Sequence, residues 1–172
     1  MKLHLGCGRR YLPGWLNVDT RADVGADMVS DILDLADIGD GAADIIYACH
    51  VLEHIPRPQL MAALAEWRRV LRPGGVLRLA VPNFTELARL YLEEAIPLWR
   101  LIGPLMGRQD YPQNTHFSVW DWDYLAWVLA EAGFHSVRPW YRPDDFPDGW
   151  DDYSRALIDG ANISLNVEAI RG

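Results

Sequence analysis

The chain is poor in the features that would tie it to a membrane, an oxidising compartment or a nucleic acid. It has two cysteines, Cys7 and Cys49. Two thiols do not make a disulfide framework, and free thiols in a reducing cytosol are their ordinary state. No apolar stretch approaches the roughly 20 residues that cross a bilayer as a helix, and no charged start leads into an apolar signal segment. A cytoplasmic protein without a membrane span is therefore expected. Basic residues are scarce, with 16 Lys and Arg against 24 Asp and Glu and a net charge of −8. That balance, with no basic run, argues against a phosphate-binding footprint and so against a nucleic-acid partner. Internal repeats and low-complexity tracts are missing too. The remainder is ordinary: 172 residues, 50% hydrophobic and 23% charged, suit one domain, 1–172, with a real core.

What is present starts with glycine. Residues 3 to 8 read Leu-His-Leu-Gly-Cys-Gly, and Asp19 closes the apolar run Trp15-Leu16-Asn17-Val18-Asp19. A strand opening into a glycine turn, then a second strand ending in a carboxylate, is how a doubly wound α/β domain holds an adenine nucleoside. Glycine lets backbone N–H groups approach the ligand, and the carboxylate accepts hydrogen bonds from the ribose hydroxyls. Glycine pairs also serve plain turns, so the rest of the chain has to decide. A nicotinamide site fits less well, because Gly6-Cys7-Gly8-Arg9-Arg10-Tyr11 has tyrosine where that fingerprint needs a small third residue.

Short apolar runs at 3 to 5, 15 to 18, 26 to 30, 44 to 49 and 76 to 81 read as parallel strands buried on both faces. Between the last two, Leu60, Leu64, Trp67 and Leu71 recur at steps of four, three and four, one stripe of a helix over 57 to 71. The unit is right-handed βαβ, with Pro58 suited to its first turn and Gly74 to its exit. A second helix is expected over 84 to 95. A third is expected over 119 to 132, with Ser118 and Asp121 at its start and Gly133 at its end. The Pro- and Gly-punctuated connection at about 97–118 is long enough to form a lid. Ile163, Leu165, Val167 and Ala169 alternate with polar residues, a period of two.

The order of these motifs, with Val51-Leu52-Glu53-His54 after the fourth strand and Leu71-Arg72-Pro73-Gly74-Gly75 before the fifth, resembles the class I S-adenosylmethionine-dependent methyltransferases of small-molecule type. The resemblance is specific from about residue 2 to 83. It implies a Rossmann-like α/β sheet in the order 3-2-1-4-5-7-6, strand 7 antiparallel and formed by pairing 163 to 169 with Phe134 to Tyr141. It implies S-adenosyl-L-methionine as cofactor, with Leu5, Gly6, Cys7 and Gly8 in the first loop, Asp19 on the ribose, and Asp31, Ile32 and Leu33 around the adenine. His50 and Leu52 come beside the transferred methyl group. The reaction implied is transfer to an oxygen or nitrogen of a small-molecule acceptor.

Two departures stand out. His4 occupies the place where the family keeps an acidic residue, and only Arg9 to Gly14 separate Gly8 from the second strand. Six residues make about 9 Å of helix or about 20 Å of extended chain. An extended crossover alone returns to the start of a five-residue strand of roughly 17 Å, so the first helix should be missing or reduced to one turn. Positive charge for the cofactor's carboxylate would then come from Arg9 or Arg10, unless both are plain surface arginines. These departures also leave open a non-catalytic cofactor-binding or partner subunit.

Single residues carry paired readings. Asp31 suits adenine recognition or a turn cap. Asp44, at the opposite end of its strand, reads as structural. His116 and His54 are the candidates for a general base, His54 with its neighbour Glu53 being equally suited to packing. Trp122, Trp140 and Trp150 could stack on a carbohydrate or other flat acceptor, or anchor loops; Trp120 and Trp127, seven apart, read as one buried helix face. The acidic run Asp144, Asp145, Asp148, Asp151 and Asp152 lacks the spacing of a calcium loop, so no metal site is expected. Nothing in the sequence fixes an oligomeric state.

Overall fold

The first connection is too short for a helix, and the architecture answers that shortage. In the computed structural model, which describes residues 1–141 and 146–172, β1 (Lys2–Leu5) and β2 (Leu16–Asp19) lie parallel, with Leu3 beside Leu16 and Leu5 beside Val18. Residues 6–15 pass between them in turns, without a helix. Asn17 replaces the missing ladder. Its buried amide donates to the carbonyls of Leu12 (3.1 Å) and Trp15 (3.0 Å) and accepts the Leu12 N–H (2.8 Å). One side chain thus meets the backbone groups that a helix would have paired internally. His4 braces that amide, its Nδ1 lying 3.0 Å from Asn17 Oδ1. Burial holds the imidazole below its ordinary pKa against the opposing influence of Asn17, Asp152 and Asp19, so the ring is neutral.

The chain continues through β3 (Met28–Val29), β4 (Ala43–Cys49), α1 (Leu60–Val70), β5 (Leu71–Pro82), α2 (Phe84–Leu92), α3 (Leu98–Met106), α4 (Trp122–Glu131) and β6 (Phe134–Pro139). A two-residue hairpin, β7 (Leu157–Ile158) and β8 (Ala161–Asn162), precedes the last strand, β9 (Ser164–Arg171). Seven strands form one sheet in the order β3-β2-β1-β4-β5-β9-β6, with β9 antiparallel to both neighbours. Only the small hairpin separates this numbering from the expected 3-2-1-4-5-7-6.

Alternate strand residues face opposite ways, and the two sides are covered differently. Leu3, Leu5, Ile46, Ala48, Leu77 and Leu79 pack with α1 and α4; Leu60, Leu64 and Trp67 of the stripe are buried in α1, and Leu71, also buried, already opens β5. Ile45, Tyr47 and Ala80 face the other way into Leu12, Trp15, Trp140 and Phe146, which come from loops and strand ends. Trp140 Nε1 donates to the Leu79 carbonyl (2.8 Å) and Trp150 Nε1 to the Tyr11 carbonyl (3.0 Å). These two tryptophans anchor loops.

Several boundaries differ from the sequence reading. The helix after Trp120 starts at Trp122, capped by Asp121, whose Oδ1 accepts the Tyr124 N–H at 2.8 Å; Ser118 takes no part in the cap. Trp120 therefore precedes the helix, bridges to Asn83 and is buried. Trp120 and Trp127 both stack on Tyr124, at 5.0 and 6.1 Å, but Trp127 is 59% exposed. The stretch 97–118 contains α3, hidden in the sequence by Gly103 and the internal Pro104. No helix among the described residues is long and apolar enough to cross a membrane. Asp144 and Asp145 lie outside the described residues.

Candidate active site

At the carboxyl ends of β1, β2 and β4, where open α/β sheets take their ligands, lies a cavity of about 460 Å³. Its floor is the first glycine turn. Gly6 has φ +62, and a Cβ there would stand 2.5 Å from Val51 Cγ2; Gly8 has φ +52 with open space before it. Asp19 lines the same cavity and ties the turn to β2: Oδ2 accepts the Gly8 N–H (2.7 Å) and Oδ1 the Arg21 N–H (2.9 Å). A carboxylate has about four lone-pair sites, so two bonds to backbone leave acceptors for a sugar.

Asp31, Ile32 and Leu33 form the far wall. Asp31 Oδ1 accepts the Leu33 N–H (2.9 Å), a turn-cap contact, and the residue also lines the cavity. His50, His54 and Phe117 close the near wall. Leu5 and Cys7 are buried beneath the turn and are not part of the cavity lining. Both cysteines are free thiols; burial and the nearby Asp19 push Cys7 up to about 11, so it stays protonated.

The two arginines foreseen for the cofactor's carboxylate point elsewhere. Arg9 pairs with Asp23 (3.1 Å) in solvent, and Arg10 sits over the Tyr153 ring (5.7 Å). Arg21 lines the cavity, its guanidinium 4.9 Å from the Tyr111 ring centre. Its place two residues after the strand-ending Asp19 was the available signal. Tyr111, Gln113 and Phe117 of the stretch after α3 line the cavity as well.

Beyond Phe117 a second cavity of about 470 Å³ is lined by Arg57, Phe84, Met106, His116, Phe117 and Tyr124. Between the two stands Glu53, fully buried, with neither carboxylate oxygen hydrogen-bonded. His50 Nδ1 is 3.3 Å from Glu53 Oε1 without hydrogen-bond geometry. Burial by itself raises the Glu53 carboxyl, but the neighbouring His50 outweighs it and holds it below its ordinary range. Burial lowers His116, which is therefore neutral near pH 7. The His54 and His116 rings meet edge to face at 4.7 Å.

This sheet order, with its antiparallel β9 and a cavity over the first glycine turn, is the class I S-adenosylmethionine-dependent methyltransferase fold. Comparison with known proteins agrees. The methyltransferase domain family matches residues 5–138, and the chain belongs to that family. Over 88 residues it is 27% identical to the demethylmenaquinone methyltransferase of Staphylococcus haemolyticus, a stretch covering 47% of this chain and 37% of that protein. Among solved structures, an S-adenosylmethionine-dependent methyltransferase from Methanosarcina mazei superposes with a TM-score of 0.62 at 17% identity, covering 99% of this chain and 91% of the other. The 1,6-didemethyltoxoflavin-N1-methyltransferase of Burkholderia thailandensis, solved with bound 1,6-didemethyltoxoflavin and S-adenosylhomocysteine, gives 0.59 at 15% identity, covering 99% and 70%.

Proposed function

We propose that this protein transfers the methyl group of S-adenosylmethionine to an oxygen or nitrogen atom of a small-molecule acceptor. The carrying observation is the 460 Å³ cavity that places the Gly6–Gly8 turn, Asp19 and the Asp31–Leu33 wall in one space with His50 and His54. When bound, S-adenosylmethionine supplies an electrophilic methyl on a sulfonium, so the protein has chiefly to align reactants and exclude water. The open face of Gly8 accepts close approach of a ligand, Asp19 takes the ribose hydroxyls, Asp31 the adenine amino group, and Arg21 the carboxylate. The stretch 97–118 is the lid, its Tyr111 and Phe117 roofing the cofactor.

The acceptor enters from the second cavity, towards His116 and His54. Each ring has Nδ1 beside a backbone carbonyl, Thr115 O at 3.1 Å and Pro104 O at 3.0 Å. Those carbonyls can only accept, so Nδ1 carries a proton, and in the neutral ring Nε2 is the nitrogen with the free lone pair. That wall is where the acceptor's nucleophilic atom is activated. A carbohydrate acceptor rested on the tryptophans, but Trp140 and Trp150 hold loops. Phe84, Met106, Phe117 and Tyr124 instead favour an acceptor with a flat apolar body.

Calorimetric titration with S-adenosylhomocysteine tests this reading. We expect saturable binding, no binding of nicotinamide dinucleotides, and affinity reduced about 10- to 100-fold in Asp19→Asn, the worth of hydrogen bonds to a charged acceptor. No binding to the parent protein, or equal binding to both proteins, would overturn it.

A further inference from the structure

We propose that Glu53, His54 and His116 form a site for a zinc-class divalent cation, set between the cofactor cavity and the acceptor cavity. One ligand atom from each residue lies within 4.8 Å of the others. Ligands held at about 2.0–2.1 Å around a tetrahedral ion stand roughly 3.4 Å apart, so side-chain rotation of an ångström or so completes the site.

Three features point to a cation. First, Glu53 is a fully buried carboxylate whose two oxygens have no hydrogen-bond donor. His50 Nδ1 lies 3.3 Å from Oε1 without bonding it, and a buried carboxylate left without hydrogen bonds is satisfied by a bound cation. Second, both histidines present their Nδ1 to backbone carbonyls. That outer contact is how metal-bound histidines are usually oriented, with Nε2 left as the ligand. Third, the backbone clamps the two segments together: the Phe117 N–H donates to the Glu53 carbonyl (2.8 Å) and the His116 N–H to the Met106 carbonyl (3.1 Å). The segments that carry the ligands are therefore held together without a metal present.

Two imidazoles and one carboxylate suit zinc or a similar transition ion, whereas magnesium and calcium favour all-oxygen sets. Three protein ligands also leave a position open, the arrangement of catalytic sites. His54 lines the cofactor cavity and His116 the acceptor cavity, so an acceptor hydroxyl can take that position. This deepens the methyl-transfer reading and rests on it for the acceptor's location. An acceptor hydroxyl on the cation gives its proton to water. Its oxygen then forms the new O–C bond as the methyl–sulfur bond breaks, and the bonding pair stays on sulfur as a neutral thioether. The histidines are then ligands, and the cation takes over the work of a base. The sequence hid this set because Glu53 and His54 are adjacent while His116 lies far along the chain.

Protein freed of metal with a chelator is titrated with zinc chloride by calorimetry and with cobalt(II), followed by its visible absorption. We expect one ion per chain and a low-coordinate cobalt spectrum. Glu53→Gln, His54→Gln and His116→Gln should each weaken zinc at least about 100-fold, the upper range for loss of merely supporting contacts. His135→Gln, an exposed histidine beside Ser136, should bind zinc as the parent does. Absence of stoichiometric zinc, or equal affinity in all four variants, overturns the proposal. If Glu53→Gln does not fold, the two histidine variants decide. S-adenosylhomocysteine binding is measured on the same samples: retained without zinc binding, it sinks the cation site alone; lost while zinc binds, it sinks the methyl-transfer reading.

Discussion

The two faces of the sheet solve the same packing problem by different means. Beneath α1 and α4 the core is mostly aliphatic, with Leu64, Leu77 and Leu79 fully buried and Trp67 Nε1 bonded to the Ile32 carbonyl (2.8 Å). On the other side, rings do the covering: Tyr47 meets Phe146 at 4.9 Å, Trp140 at 5.8 Å and Trp15 at 6.3 Å between centroids, all edge to face. Large aromatic side chains bury much area from short segments, so loops suffice where a helix is missing. The cost is dependence on single polar partners. A helix carries its own hydrogen bonds, whereas the loop between β1 and β2 borrows them from Asn17.

That difference predicts where the protein is fragile. Asn17→Leu keeps the branched shape and the number of heavy atoms but removes the hydrogen bonds to Leu12 and Trp15. At roughly 1–3 kcal/mol for each buried group left without a partner, the loss should be about 4 kcal/mol in denaturant unfolding. Affinity for S-adenosylhomocysteine should fall too, because the same loop carries Gly6 and Gly8. A loss under about 1 kcal/mol would mean that the aromatic cover, not the amide, holds the loop.

The helical face should separate the two properties. Leu64→Ala opens a cavity under α1 and should cost about 3 kcal/mol, yet leave S-adenosylhomocysteine binding within about twofold of the parent at a temperature where both proteins are folded. A comparable fall in affinity would show that the faces are coupled and erase the contrast.

Patterns that follow chain periodicity were legible in the sequence. The α1 stripe, the strand alternation and the six-residue crossover each follow from local geometry, and the sheet order came with the family resemblance. Gly6, Gly8, Asp19, Asp31, Ile32, Leu33 and His50 do share one cavity. What stayed hidden depends on distant segments meeting. Arg21 became a cavity residue through Tyr111, and Glu53 stands near His116 only because α3 folds the chain back. The helix α3 itself was masked because Pro104 breaks the local pattern without breaking the helix. Of the tryptophan pair read as one buried face, both rings stack on Tyr124, but Trp127 sits at the exposed end of that stack.

The smallest effect expected concerns His4, the residue that departs most plainly from the family pattern. Its ring faces Tyr47 at 5.3 Å and Asn17 at 3.0 Å, with the carboxylates of Asp152 and Asp19 nearby. Because burial lowers its folded pKa below the ordinary 6.5, the unfolded chain binds a proton first as pH falls. Its stabilising share is therefore complete above 6.5 and declines as the pH drops towards the folded value. His4→Gln keeps a donor for Asn17 and removes the titration. Melting temperatures taken from about pH 7 to about pH 5 should thus fall less steeply in the variant than in the parent. Superimposable pH profiles would mean that His4 is protonated in place and that the loop face tolerates the charge.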